Sequence, residues 1–234
     1  MTAKTTTGRR ADAGTVRLGQ RDIDGLVLCG EHAGAPYDLL AAALSVTPAR
    51  LRAITARWRQ AGYAATGRLG PGPAWCWLTA AGMAAAGLGY PVSRPPLARL
   101  AHLRAVLAAR LWFQTSPAWA QGQAWSQSER RIRRKGPAGG THRPDAEIWW
   151  PSIPASPYAG QVWALEIELT AKHAARTAAI MAELTASAGY ARVVYLTAPP
   201  ARGVVARCVG ALPPGTPAEV TVWDLPADAY LPAA

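Results

Sequence analysis

The sequence is short of cysteine, lysine, acidic residues and long apolar runs, and each shortage narrows the function. Its three cysteines, Cys29, Cys76 and Cys208, are odd in number, far apart and free of any C-x-x-C spacing. Neither a disulfide framework nor a thiolate zinc site is expected, and a reducing cytoplasm is the expected compartment. No apolar run approaches the roughly 20 residues that a bilayer-spanning helix needs, so no membrane partner is expected. Met1 to Asp12 are polar and basic with no apolar segment behind them, and no secretory signal is expected. Lysine occurs only at Lys4, Lys135 and Lys172, and 14 acids face 25 basic residues, for a net charge of +11. Charge of this size speaks to partners and not to fold, and it points to a polyanion, nucleic acid first. Richness in Ala, Gly and Pro fits a high-GC genome, and codon bias accounts for part of the arginine excess.

What is present is a folded composition, 50% hydrophobic over 234 residues, enough for one large domain or two small ones. Residues 1–19 lack periodicity and read as a basic arm. A first helix follows from Arg21, with Asp22 and Asp24 near its positive end. Tyr37 to Leu44 reads as a second helix. Thr47-Pro48 supplies an N-cap and a first-turn proline for a third, about Pro48 to Ala61. Leu51, Ile54 and Trp58 form its apolar stripe, with Arg50, Arg52, Arg57 and Arg59 off it. A Gly/Pro turn at Gly70 to Pro73 joins two short extended runs, with Arg68 near the tip. Three short helices and a hairpin follow the winged-helix order, in which the third helix enters the major groove; an ordinary helical domain with a solvated arginine face has the same pattern. Thr79 to Leu88 reads as a further helix and Pro91 to Pro96 as a linker. A long amphipathic helix, Leu97 to Phe113, then opens a second unit. In it, extended segments at Arg143 to Trp150, Val162 to Leu169, Ala191 to Thr197 and Glu219 to Leu225 alternate with helices, which implies an α/β sheet with parallel pairs.

The few negative charges are placed unevenly. Between Leu39 and Ala182 stand 17 basic residues and only five acids, Glu129, Asp145, Glu147, Glu166 and Glu168. Strand alternation puts Trp163, Leu165, Ile167 and Leu169 on one face and Glu166 with Glu168 on the other, roughly 7 Å apart. Asp145 and Glu147 obey the same two-residue rule. If the segments pair as neighbours about 4.8 Å apart, up to four carboxylates converge. Their repulsion is relieved either by a divalent cation, which phosphodiester hydrolysis also needs, or by pairing with Arg130, Arg131, Arg143 and Arg176. The run Arg130, Arg131, Arg133, Arg134 and Lys135 reads as a phosphate-contacting or solvated loop. Lys172 is placed either to touch a scissile phosphate or to pair with Glu168. His102 reads as a packing residue, and His142 and His173 as surface or hydrogen-bonding groups. Trp149 and Trp150 either stack on bases or belong to the core.

A Glu, then Pro-Asp, then E-x-(K/E) on the next strand resembles the PD-(D/E)xK nuclease superfamily, matched by Glu129, Pro144-Asp145 and Glu166-Ile167-Glu168. Glu168 stands where that superfamily usually has Lys, and Lys172 lies four residues on as a displaced replacement. From about Arg21 to Leu225 the chain resembles the actinobacterial replication-relaxation family of plasmids and integrative elements. The matching motifs are Leu78-Thr79-Ala80-Ala81-Gly82, Ser128-Glu129-Arg130, Arg143-Pro144-Asp145 and Glu166 to Lys172. The resemblance implies a winged helix over residues 20–90 and a restriction-endonuclease-like α/β domain with a mixed central sheet over 97–234. It further implies association with plasmid replication or transfer, with double-stranded DNA and replication or conjugation proteins as partners. On this reading Arg50, Arg52, Arg57, Arg59 and Arg68 hold the duplex, and Arg130, Arg131, Arg133 and Arg134 add phosphate contacts. Asp145, Glu166 and Glu168 are the ligands for Mg²⁺ or Mn²⁺, Glu168 or Lys172 orients the attacking water, and Glu129 supports the site from its helix. The alternatives are a nuclease-like platform without catalysis, or a winged-helix transcriptional regulator.

Overall fold

Threonine hydroxyls cap two of the N-terminal helices of the computed structural model, which describes residues 17–134, 142–154, 156–187 and 189–230. Most of the basic arm, and the loop from Lys135 to Thr141, lie outside these. Helix α1, Gln20–Glu31, buries Leu26, Leu28 and Cys29, and the Asp22 carboxylate accepts the Gly19 N–H at 3.0 Å. A two-residue strand β1, Ala35–Pro36, leads into α2, Tyr37–Ala43. In α3, Pro48–Gln60, the Thr47 hydroxyl accepts the Arg50 N–H at 3.3 Å, and Leu51, Ile54 and Trp58 are buried as their spacing requires. Gly62 ends this segment at φ +76°, a left-handed conformation that favours glycine. Strands β2, Ala64–Gly67, and β3, Trp75–Leu78, form the expected hairpin, and β1 adds to the other edge of β3 to give the order β1-β3-β2.

The Leu-Thr-x-x-Gly motif has a local physical reason. Helix α4, Ala80–Ala85, is shorter than expected and is capped by Thr79, whose hydroxyl accepts the Gly82 N–H at 3.1 Å. The Thr79 N–H donates to the Tyr63 carbonyl at 3.1 Å, which draws the start of α4 onto the β2 turn. Gly82 then lies so close that a Cβ built on it would fall 1.9 Å from the Tyr63 oxygen. Only glycine fits that approach.

After the proline-rich segment and a 3-10 turn at Leu97–Arg99, helix α5, Leu100–Gln114, runs through the centre of the molecule. Arg104 on this helix is only 2% exposed. Its guanidinium makes a two-pronged pair with Asp38 of α2, at 2.6 and 2.9 Å, and also donates to the Tyr230 carbonyl at 2.8 Å. A planar fork suits this buried bridge in a way that an ammonium would not. A short helix α6, Pro117–Gln121, precedes β4, Trp125–Ser128, a polar strand that the hydrophobic pattern did not mark. Helix α7, Glu129–Arg134, follows directly.

The remaining elements are β5, Ala146–Trp149, β6, Val162–Glu168, α8, Ala174–Ala186, β7, Arg192–Thr197, α9, Pro199–Gly210, and β8, Glu219–Asp224. The five strands lie in the order β4-β5-β6-β7-β8, making an α+β chain with a mixed sheet. β4-β5 and β5-β6 are antiparallel, and β6-β7 and β7-β8 are parallel. Alternation along β6 is as expected. Trp163, Leu165 and Ile167 join one buried cluster with α5, and Ala164 joins another with Met181 of α8 and Val205 of α9. The first cluster also contains Leu26, Leu40 and Trp58, so apolar side chains of both halves of the chain form one continuous core. No single helix among the described residues is long and apolar enough to cross a membrane.

Candidate active site at the end of the central strands

Register decides which acids meet. Ala146 of β5 pairs with Leu165 of β6. Asp145 precedes the first and Glu166 follows the second, so the two flank the same end of the ladder. Glu166, in turn, lies beside Tyr195 on the parallel strand β7, and Glu168 beside Thr197. Both glutamates are buried, at 2% and 3% exposure, although carboxylates are among the side chains least often found there.

Each carboxylate has a specific partner. Asp145 Oδ1 lies 2.8 Å from His102 Nε2 of α5, and its Oδ2 accepts the backbone N–H of Ile167 at 2.9 Å. Glu166 Oε1 lies 2.9 Å from His142 Nε2, and Glu168 Oε1 accepts from Lys172 Nζ at 2.6 Å. Glu147, further along β5, is held by the Tyr190 hydroxyl at 2.7 Å and the Trp149 indole at 2.9 Å. The side chains are thus compensated by His and Lys, and not by the arginines suggested by sequence proximity. His102, read from its helix position as a packing residue, is bonded to Asp145, 43 residues away. Lys172 precedes α8, whose N-cap is His173, so it sits on the connection between β6 and α8.

The electrostatics reflect this crowding. Burial pushes the Glu166 carboxyl up to about 7; the His142 hydrogen bond counteracts it, and the charges of Asp145 and Glu168 add to it. His142 is raised above its ordinary value, first by its bond to Glu166. For His102, burial is the largest influence and lowers it, but the bond and charge of Asp145 prevail and the net shift is upward. The Tyr195 hydroxyl is fully buried and has no hydrogen-bond partner among the described residues. It lies in the field of Glu166, Glu168 and Asp145, which together with burial raises its pKa. A tyrosine in the otherwise aliphatic run Val193 to Leu196 was the one sequence signal for this residue.

Among the described residues no three His, Cys, Asp or Glu side chains are grouped to hold a metal ion. Mg²⁺ asks for less, since it is commonly bound by one or two carboxylates with water and phosphate oxygens completing the shell. Asp145 and Glu166 provide two at one strand end, and the orphaned Tyr195 hydroxyl offers a donor for a bound water.

The basic residues fall into two groups. Arg50, Arg52 and Arg59 of α3 and Arg68 beyond β2 are exposed. Arg57 is instead pinned to Asp22 at 2.5 Å, and the same carboxylate oxygen accepts from the Trp58 indole at 2.9 Å. The second group surrounds α7. Glu129, expected beside the acid site, bridges Arg99 at 3.1 Å and Arg133 of its own helix. Arg130 donates to the carbonyls of Gly30 and Pro91 at 2.7 and 2.5 Å, and Arg131 lies 3.8 Å from Glu31. Trp150 is buried in the core, whereas Trp149 stacks on the half-exposed Trp125 with ring centres 5.7 Å apart.

No protein-family model matches the chain, and neither a curated protein nor a solved structure matches it.

Proposed function

We propose that this is a DNA-binding protein of a mobile genetic element, whose first half is a winged helix that holds duplex DNA and whose second half is a nuclease-like domain that hydrolyses a phosphodiester bond with Mg²⁺ or Mn²⁺. The observation that carries the catalytic part is the gathering of half-buried Asp145 with buried Glu166 and Glu168 at one end of the sheet, where burial, with the charges of Asp145 and Glu168 adding to it, pushes the Glu166 carboxyl up to about 7. A carboxyl raised this far by burial and by specific charged neighbours is a mark of functional sites. Support for the DNA-binding part is the row of exposed arginines on α3 and near the hairpin, with a net charge of +11.

In this reading Asp145 and Glu166 hold the cation, which supplies Lewis-acid charge and lowers the pKa of a water. His102 and His142 fix the two carboxylates by hydrogen bonds, as supporting groups around metal ligands do. Glu168 and Lys172, linked at 2.6 Å, place an acceptor and a cation beside the strand end. The acceptor orients the attacking water, and the ammonium offsets charge on the phosphate. Exposed Arg50, Arg52, Arg59 and Arg68 contact backbone phosphates, which gives affinity without sequence choice.

A second reading, a docking platform without catalysis, is favoured by one observation. One oxygen of each acid is already bonded to His102, His142 or Lys172. Incubation of supercoiled plasmid with the protein and Mg²⁺ or Mn²⁺ separates the two. Nicking or linearisation lost in Asp145→Asn and Glu166→Gln is the expected result; salt-sensitive binding with no cleavage establishes the platform.

A further inference from the structure

We propose that the arginine-lined cleft between α7 and the start of α5 binds one nucleotide of a single strand, held by its phosphate. This deepens the nuclease reading, because the cleft leads to Asp145. Its volume is about 480 Å³, and its lining includes Tyr90, Arg99, Glu129, Arg130, Arg133 and Arg134. Four arginines thus line it together with one carboxylate. The size is that of a small-molecule site. It is far too small for a duplex, whose major groove alone is about 12 Å wide.

The chemistry of the walls selects the ligand further. Arg99 comes from the turn before α5 and Arg133 from α7, yet both converge on the carboxylate of Glu129. That carboxylate occupies the position of an anion held between two forks, and a phosphate monoester, with more charge and more acceptor oxygens, competes for the same pair. Arg130 is fixed by two backbone carbonyls and lies over the Tyr90 ring at 4.8 Å, and the Tyr90 hydroxyl donates to Glu31 at 3.0 Å. The wall is therefore organised before a ligand arrives, which lowers the ordering cost of binding. Tyr90, Pro91, Pro96 and Leu103 add apolar surface for a base, and with the guanidinium groups they match a base joined to a phosphate.

The cleft adjoins a narrower cavity of about 60 Å³ that shares Arg99, Leu103, Glu129 and Arg130 and adds His102 and Asp145. A base does not fit there, but a phosphate oxygen or water does. A nucleotide seated in the outer cleft thus has its phosphate at the entrance to the Asp145 end of the strands.

The test is equilibrium binding of a 5′-phosphorylated, fluorescein-labelled oligothymidylate to the full chain in EDTA, where no cleavage interferes. Arg99→Ala and Arg133→Ala are expected to weaken binding about tenfold each and to weaken duplex binding much less. Glu129→Gln, which removes the competing anion but keeps the shape, is expected to strengthen it at least threefold. Thymidine monophosphate is expected to displace the oligonucleotide better than inorganic phosphate. The proposal is overturned if Glu129→Gln weakens binding or leaves it unchanged, if the arginine variants affect duplex and single strand alike, or if inorganic phosphate competes as well as the nucleotide. Arg133→Lys guards against misfolding, since it keeps the charge and loses the fork, and it is expected to bind more weakly than wild type at an unaltered melting temperature. Because the readout is binding without metal, absence of plasmid cleavage leaves it intact and sinks the catalytic reading alone.

Discussion

Replacing Glu166 by Gln tests the electrostatic account of the acid site through stability, independently of any substrate. The carboxyl titrates near 7 in the folded chain against an ordinary value of 4.5, primarily because it is buried and secondarily because Asp145 and Glu168 lie nearby. Between those two values the folded chain keeps a proton that the unfolded chain has released, so stability falls as pH rises through the window and levels off above it. At about 1.36 kcal/mol per pH unit of difference, the full penalty above pH 7 is about 3 kcal/mol. His142 acts in the same direction: its raised value favours the folded state at low pH, and that contribution is lost as pH rises through the folded value. Two groups work oppositely: the lowered carboxyl of Asp22 loses its contribution only below its ordinary value of 3.8, outside the window, whereas buried His32, held well below its ordinary 6.5 by burial and by Arg110, adds stability as pH rises toward 6.5. In urea unfolding Glu166 is therefore expected to cost the wild type about 3 kcal/mol between pH 4.5 and 8, a large share of the typical 5–15 kcal/mol, with His32 offsetting part of the fall. Glu166→Gln is expected to flatten that profile, matching the wild type near pH 4.5 and exceeding it at pH 8. A Gln variant whose stability relative to the wild type does not rise between pH 4.5 and 8 refutes the reasoning. Added Mg²⁺ is expected to raise wild-type stability at pH 8 and not that of the variant, because a cation favours the ionised carboxylate.

Combined Arg50→Ala, Arg52→Ala, Arg59→Ala and Arg68→Ala should lower the slope of log affinity for duplex DNA against log salt by about 3 to 4, at about 0.9 per lost phosphate contact, read by fluorescence anisotropy. Arg57→Ala should leave that slope alone and instead cost about 1 kcal/mol in urea unfolding, since it strips one partner from Asp22 while Trp58 remains. Asp38→Ala should destabilise by about 2 kcal/mol, less than a fully buried pair because Asp38 is 38% exposed, as it leaves the Arg104 guanidinium only the Tyr230 carbonyl. Gly82→Ala should cost about 3 kcal/mol, and lower the melting temperature by roughly 6–12 °C, since the carbonyl that it strikes is held by Thr79.

Local rules made much of this fold readable. Thr47-Pro48 and Thr79 mark their helix starts by a hydroxyl that caps the first turn, and the parity of Trp163, Leu165 and Ile167 against Glu166 and Glu168 is a property of any extended strand. Pairings across long separations were not readable. Nothing near Arg104 foretells Asp38, 66 residues earlier, and nothing near His102 foretells Asp145. Strand β4 was missed because Trp125 to Ser128 is short and polar, and its pairing with β5 overrides weak propensity. Arg57 and Glu129 carried the right charge for the roles expected of them, but partners of opposite sign, Asp22 for one and Arg99 with Arg133 for the other, hold both.

Asp145 joins the two halves of the functional argument because it stands at the end of the β5 ladder and not within it. A residue one position inside would present its side chain to a single face of the sheet. At the ladder end, one carboxylate oxygen reaches His102 of α5, beside the arginine cleft, and the other reaches the Ile167 N–H of β6, next to Glu166. Its charge is felt by Glu166 and by Tyr195. A phosphate bound by Arg99 and Arg133 would therefore approach the acidic face through this one residue. Asp145→Asn keeps both hydrogen-bond positions occupied and removes the charge. It should lower the Glu166 pKa, which moves the pH at which the stability profile levels off below 7, while oligothymidylate binding in EDTA holds or improves. Loss of oligothymidylate binding in that variant, with the fold intact, would mean that the cleft and the acid site are not separable in this way.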